Sequence, residues 1–272
     1  MVRGALVVVA ALLSAIVLSG CLGSSAAPPT TTIKQLRQFR ILFPEGFTRA
    51  QMAARVDAVA KIAEQKSHRP VKLSEKRYLT ASLPQVIPGF GSKNLQMEGF
   101  LFPNTYNFDR KSSSKFLVDV QLQTFQREWR SVDMSYARSK NLTPYDVLEI
   151  ASMIQAESGV PSDDRLVAAV IYNRLHLGMT LGIDATLRYG FHLAPGAPIT
   201  QSELDSNNPY NTRIIPGLPP TPIDNPGLAA IQAAAHPANV NYLYYLKIPG
   251  SKRSYFTSNY DDFINHKVQY GY

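Results

Sequence analysis

The segment Tyr145-Asp-Val-Leu-Glu-Ile-Ala-Ser-Met-Ile-Gln-Ala-Glu-Ser158 constrains this chain more than any other. Ile150, Met153 and Ile154 lie seven, four and three residues before Glu157, which puts all four on one side of an α-helix. Thr143 is a good N-cap, Pro144 fits the first helical position, and Asp146 and Glu149 put negative charge on the first turn. Gly159 and Pro161 stop the helix, so Glu157 stands at its last turn, where the chain opens into a loop. On an apolar stripe a carboxylate loses hydration, and holding its proton relieves the cost. Raising a glutamic pKa from ~4.3 to ~6.5 costs about 3 kcal/mol, and such shifts concentrate at working sites. An acid still protonated near neutral pH can protonate a leaving-group oxygen, as glycosidic cleavage requires. Periodicity alone also allows a terminal-turn Glu that swings to water or pairs with an arginine.

The 272 residues can hold one ordinary domain plus a small companion, and a 45% hydrophobic content argues against wholesale disorder. Residues 5–18 form an uncharged apolar run behind Arg3, followed by Leu18-Ser19-Gly20-Cys21. That tetrapeptide resembles a lipobox and ends in the chain's only cysteine. Lipidation at Cys21, an uncleaved anchor over residues 5–22, and a cleaved secretory signal all stay open for residues 1–21. All three export the rest of the chain, and the first two hold it at the cell membrane with its bulk on the extracytoplasmic face. A lone cysteine excludes an internal disulfide. Residues 22–33, rich in small residues and Pro, read as a flexible tether.

The net charge of +8 is concentrated between Lys34 and Arg77, where 11 Lys and Arg face Glu45, Asp57, Glu64 and Glu75. Anionic lipid head groups or acidic wall polymers suit such a face, as does plain solvation. Nucleic acid, the usual first partner for a basic patch, is excluded by export. The five histidines show no metal-ligand spacing, no Cys cluster or HExxH occurs, and no phosphate-cradling Gly loop is present, so no metal and no cofactor is expected.

An α+β fold is expected. Residues 34–92 read as a small α+β module: a strand at Phe39–Phe43, Thr48 as N-cap, and a helix from Arg49 to about Lys66 with Met52, Val56, Val59 and Ile62 at helical spacing. Residues 83–91 are too broken by Pro and Gly for a regular element and mark a boundary. Residues 93–272 read as a mixed α/β domain with a helical core. It starts with the extended aromatic stretch Met97–Phe108, then a long helix over 112–138 with Ser114 as cap. After the Glu157 helix comes one capped by Ser162, with Val167, Val170, Ile171 and Leu175 as its stripe. Residues 180–226 form a long loop-rich region, and such stretches are usually functional. An Ala-rich helix near 227–235, ended by His236, precedes a C-terminal β-hairpin (242–248 and 254–257) and a last helix from Asn259.

Several ordered blocks resemble one known family, the endolytic murein transglycosylases (YceG-like). From Met97 to Tyr272 they are Glu98-Gly-Phe-Leu-Phe-Pro-Asn-Thr-Tyr106, Ala151-Ser-Met-Ile-Gln-Ala-Glu157, Val170-Ile-Tyr-Asn-Arg-Leu175 and Gly178-Met-Thr-Leu181. Asp184-Ala-Thr-Leu-Arg-Tyr-Gly190, Pro209-Tyr-Asn-Thr212, Gly217-Leu-Pro-Pro-Thr-Pro-Ile223 and Ala233-Ala-Ala-His-Pro237 continue the series. Phe43-Pro-Glu-Gly-Phe-Thr48 matches part of the family's LysM-like subdomain. Gly182 and Ala185 depart from the pattern, and the lipobox-like cysteine stands where family members usually carry a membrane span.

The resemblance implies that Glu157 is the catalytic acid of a lyase acting on nascent peptidoglycan strands. Cleavage would fall between N-acetylmuramic acid and N-acetylglucosamine, leave a 1,6-anhydro end and terminate strand growth beside the peptidoglycan synthases. A lytic route manages with one carboxylate because the sugar supplies the nucleophile, whereas hydrolysis normally needs two. Asn173, Asp184, Thr186, Tyr189, Tyr210 and Asn211 are candidates for lining the cleft, since amides, hydroxyls and aromatic faces suit N-acetyl groups and sugar rings. Each could instead be turn, cap or core chemistry. Two other functions remain open: a muramidase-type hydrolase in which Asp184 or Asp205 positions water, and a non-catalytic wall-binding lipoprotein.

Overall fold

Two antiparallel strands from opposite sides of the expected residue-92 boundary pair with each other: β1 (Phe39–Leu42) with β4 (Thr105–Phe108). The structure, a computed structural model, describes residues 37–194 and 196–272, so the apolar run, Cys21 and the tether lie outside the described residues. Phe39 stands opposite Phe108, their rings stacked at 5.6 Å, and Leu42 opposite Thr105. Between these strands come α1 (Arg49–Ser67), α2 (Glu75–Ala81) and the small pair β2 (Gln85–Val86) with β3 (Asn94–Leu95). Residues 36–272 form one compact unit, with a continuous core running from Ile41 through Phe100 to Ile154. Its helices and two-stranded sheets give the expected α+β class. Among the described residues no helix is long and apolar enough to cross a membrane.

Helix α1 starts at the expected place because Thr48 and Gln51 form a reciprocal capping box. Its buried face differs from the expected stripe. Met52 and Val56 are buried, but Ala53, Ala60 and Ala63 complete the face, while Val59 is half-buried and Ile62 is 49% exposed. Alanines let the backbone approach its neighbours, so the largest apolar residues need not mark the inner side.

The single helix expected over 112–138 is two helices. α3 (Ser114–Trp129) is capped by Ser113 rather than Ser114, and α4 (Ser135–Ser139) follows after a turn. The Asp133 carboxylate accepts the Ser135 amide at 2.8 Å and the Ser135 hydroxyl at 2.9 Å, which restarts the chain in a new direction.

The central helix α5 (Pro144–Glu157) has the expected bounds, with Thr143 and Asp146 as a capping box. Val147, Leu148, Ile150, Ala151, Met153 and Ile154 are all fully buried. Against it pack α6 (Pro161–His176) and the alanine-rich α9 (Leu228–Ala235). α6 begins with Pro161 at its first position, and Ser162 does not cap it. Within 180–226 two short helices interrupt the expected loop, α7 (Asp184–Gly190) and α8 (Gln201–Leu204). The hairpin β5 (Tyr244–Lys247) with β6 (Ser254–Thr257) and the helix α10 (Tyr260–Tyr270), capped by Asn259, complete the chain.

Glu149 does not serve the first turn of α5 as a solvated charge. It is buried, and burial, with a smaller push from Asp146, raises its pKa from 4.5 to about 8. Burial likewise raises Glu98 to about 7, against the pull of its hydrogen-bond donors. For both groups the folded pKa lies above the unfolded one. Their contribution to stability is therefore intact below about pH 4.5 and is lost as pH climbs through about 7 and 8. Chemical denaturation between about pH 5 and about pH 9 should show stability falling by several kcal/mol, and Glu149→Gln should flatten the upper part of that fall.

Candidate active site

Three pieces of chain converge on Glu157, the last residue of α5: the first turn of α7, the inner face of β5, and the turn between β5 and β6. That turn comes close because residue 159 is glycine. A Cβ there would sit 2.0 Å from the Lys252 carbonyl oxygen. Just beyond, the fully buried carboxylate of Asp163 accepts the Ser254 amide at 2.7 Å and pins β6 to the start of α6. Strand alternation then puts Tyr245 and Lys247 on the same side of β5.

The Tyr245 hydroxyl donates to Glu157 Oε2 at 3.4 Å. Glu157 is half-buried, with Ile150, Met153 and Ile154 fully buried behind it. Burial is the main cause that holds its carboxyl above the ordinary glutamate value, and the negative charge of Asp184 adds to it. Lys247, the Tyr245 hydroxyl and the Ala185 backbone N–H pull the other way, and Lys247 pulls most. Burial and the Glu157 charge push the Tyr245 phenol well up, so it stays a donor. The arrangement favours the protonated carboxyl by burial, and sets a cation and two donors to stabilise the carboxylate when the proton leaves.

Asp184, at the start of α7, is the expected cleft residue that lies beside Glu157. Its Oδ1 accepts Arg213 Nε at 2.8 Å and Nη2 at 2.5 Å, and that pair is partly exposed. Thr186 and Asn211 sit fully buried. The Thr186 hydroxyl donates to the Ile183 carbonyl at 2.7 Å, and Asn211 Nδ2 donates to the Leu204 and Ser206 carbonyls at 2.9 and 2.8 Å. Their polar groups hold the 180–213 segment to itself rather than facing outward. Asn173 Nδ2 donates to the carbonyls of Val240 and Tyr242 at 3.0 and 2.9 Å, tying α6 to the lead-in of β5. Tyr189 and Tyr210 meet edge to face at 5.1 Å, and their hydroxyls reach Glu98 and Thr221.

Sequence reading missed Tyr245 and Lys247, because spacing along one strand does not say which helix end the strand will cover. Alternation in the expected hairpin was the available signal. Arg174, part of the Val170–Leu175 block, ties two segments near the site together. In the structure its guanidinium donates to the Leu243 carbonyl at 2.7 Å and the Leu181 carbonyl at 2.7 Å. It thereby binds the hairpin to the segment that leads into α7.

Comparison with known proteins places these features in context. The model of the YceG-like family matches residues 23–269. Proteins named endolytic murein transglycosylase are similar to the chain in Streptococcus pneumoniae, at 30% identity over 240 residues, and in Bacillus subtilis, at 31% over 219 residues. Those alignments cover 82% and 76% of this chain but 43% and 59% of the relatives, so the chain spans about half their length. The crystal structure of a yceG-like protein from Listeria monocytogenes matches with a TM-score of 0.70 at 24% identity. It covers 84% of this chain and 75% of that one, and it supports the fold.

The electrostatics of Glu157 can be checked by carbon-detected NMR titration of labelled glutamate carboxyls, with Glu157→Gln supplying the assignment. Lys247→Met should move the Glu157 midpoint upward by about half a unit to one unit. Asp184→Asn should move it downward by a similar amount, since it removes an anion and frees Arg213.

Proposed function

The chain belongs to the YceG-like family, and we propose that it is an endolytic lytic transglycosylase of peptidoglycan in which Glu157 is the single acid and base. The observation that carries this reading is the half-buried Glu157 carboxyl. Burial raises its pKa, Tyr245 holds it, and Lys247 faces it. The naming of its relatives in S. pneumoniae and B. subtilis supports the same class.

In the proposed reaction Glu157 gives its proton to the glycosidic oxygen between N-acetylmuramic acid and N-acetylglucosamine. The C1–O bond breaks through an oxocarbenium-like state. The muramic C6 hydroxyl then bonds to C1, and its proton passes to the Glu157 carboxylate. The products are a free N-acetylglucosamine hydroxyl and a 1,6-anhydromuramic end, with the acid restored and no water consumed. Lys247, the Tyr245 hydroxyl and the Ala185 amide stabilise the carboxylate in between. Asp184, held in place by Arg213, biases Glu157 toward its protonated form through its negative charge.

The finer assignments belong to the same proposal. Residues 34–92 act as a partial LysM-like module that is completed by β4 from beyond residue 92, supported by two helices lying between the paired strands β1 and β4. The lipobox-like Leu18–Cys21 anchors the chain at the cell membrane beside the synthases whose strands it would cut.

Glu157→Gln keeps the fold and should lower strand cleavage by about a thousandfold or more, the scale expected when a general acid and base is lost from both half-steps. Mass spectrometry of wild-type products should find 1,6-anhydro ends, whereas reducing muramic ends would identify a muramidase instead. Cys21→Ala should shift the protein from the membrane to the soluble fraction. Retention in the membrane would assign the anchor to the apolar run.

A further inference from the structure

A second buried carboxyl lies outside the chemistry just described. Glu98, 6% exposed, follows β3 and is met by donors from three other parts of the chain. Its Oε1 accepts the Arg49 backbone N–H at the start of α1, at 2.7 Å, and Asn225 Nδ2 at 2.8 Å. Its Oε2 accepts the Tyr189 hydroxyl of α7 at 3.1 Å. Three donors converging on one side chain build the site for a carboxylate.

The bond to Tyr189 has a reach beyond packing. Ala185 lies in the first turn of α7, where backbone N–H groups have no intrahelical partner, and its amide faces Glu157 from that end of the helix. Tyr189 lies one turn further along the same short helix and meets Glu98. α7 and the 208–213 segment form a bonded unit. Ile183 N donates to Thr212 Oγ1 at 3.1 Å, Gly182 N to the Thr212 carbonyl at 2.8 Å, and Asn208 Nδ2 to the Gly190 carbonyl at 3.1 Å. A Cβ on Gly190 would lie 2.6 Å from Asn208 Oδ1, so the two pieces are tightly apposed. From this unit Tyr210 reaches the Thr221 hydroxyl at 2.8 Å, and the preceding carbonyls of Thr180 and Leu181 accept from Arg174. The tie through Tyr189 is the one that ends on a buried acidic group.

We propose that Glu98 is a positioning residue for Glu157: through Tyr189 it sets the roll and depth of α7, and so sets where Asp184 and the Ala185 amide face the acid. The inference rests on the assignment of Glu157 as the catalytic acid. The groups that face Glu98 are Arg49 on α1, Asp224 on the 222–227 segment, Tyr78 on α2 and Tyr189 on α7. Asp224 is itself buried, with an Oδ1 that has no hydrogen-bond partner, and its pKa is pushed up by burial and then by the Glu98 charge. Burial thus favours the protonated form of Asp224 beside Glu98.

The alternative is a local zipper: Glu98 would only join α1 to the 222–227 segment, where Asn225 and Gly46 already exchange backbone bonds with residues 46–47 and 225. Tyr189→Phe separates the two, because it removes the α7 tie and leaves the bonds from Arg49 and Asn225 in place. The decisive measurement on the full chain is the NMR titration midpoint of Glu157, which requires no turnover. In Tyr189→Phe and in Glu98→Gln it should move by about half a unit or more, equivalent to a threefold change in the proton-binding constant. Turnover on glycan strands should show kcat down roughly tenfold with KM within about threefold, as expected when a catalytic group is displaced without loss of binding surface. Tyr189→Phe is the reference variant should Glu98→Gln fail to fold. A Glu157 midpoint identical to wild type in folded Tyr189→Phe overturns the proposal whatever its activity. A shifted midpoint in a protein whose wild type cuts no glycan keeps the proposal and overturns the transglycosylase reading instead.

Discussion

Helix α5 is buried on nearly all sides from Val147 to Ile154, and the rest of the molecule is arranged to satisfy that helix. Its few polar side chains are spent on neighbours. The Ser152 hydroxyl accepts the Ile223 amide at 3.0 Å, and Gln155 Oε1 accepts the Gly227 amide, the N-cap of α9, at 2.9 Å. Burying a helix this thoroughly is favourable at roughly 25 cal/mol per Å² of apolar surface removed from water, but it leaves no room for a working polar group along its length. Only at the C-terminal end, where Ser158 and Gly159 turn the chain away, can a side chain of α5 be partly desolvated and still reach a substrate. Glu157 occupies that end.

Desolvation alone does not distinguish a working acid. Glu98, Glu149, Glu157 and Asp224 are all pushed toward their protonated forms, each chiefly by burial. What separates them is access and the surrounding charge. Glu98 and Asp224 are sealed between the 46–49 and 222–227 segments, and Glu149 lies in the body of α5. Glu157 alone of the four combines partial exposure with a lysine and a phenol poised on its carboxylate form. A group that must give up a proton and take one back needs both states within reach, and the hairpin supplies what the helix cannot.

Features set by local chemistry were legible in the sequence. The caps at Thr48 and Thr143, the bounds of α5, the start of α10 near Asn259 and the β5–β6 hairpin follow from neighbouring residues, and the structure has them where expected. Features set by tertiary competition were not. The buried face of α1 passed to alanines because close backbone approach outweighed side-chain size. Local chemistry also held one surprise: the break between α3 and α4 is a short turn in which Asp133 accepts the Ser135 amide two residues on. The tertiary limit applies to the site as well. The place of Glu157 on the apolar side of α5 could be read from periodicity, but Tyr245 and Lys247 reach it across 88 and 90 positions of chain, through a contact that no local pattern encodes.

The polar residues of the 180–213 segment bear on how specificity could arise. Thr186, Asn211 and Thr212 are turned inward and hydrogen-bonded within the segment, so they fix its shape and cannot themselves select a sugar. A segment rich in amides and hydroxyls can thus be rigid because those groups are satisfied internally. Rigidity there has a use: the segment carries Asp184 and the Ala185 amide, whose distance from Glu157 sets how readily the acid ionises. On the proposed function, recognition of a strand would fall to the groups around Glu157 that are not sealed inside, chiefly Lys247, the Asp184–Arg213 pair and the half-buried Tyr245. In that proposal the inward groups fix the surroundings of the Glu157 carboxyl, while the outward ones are free to meet a substrate.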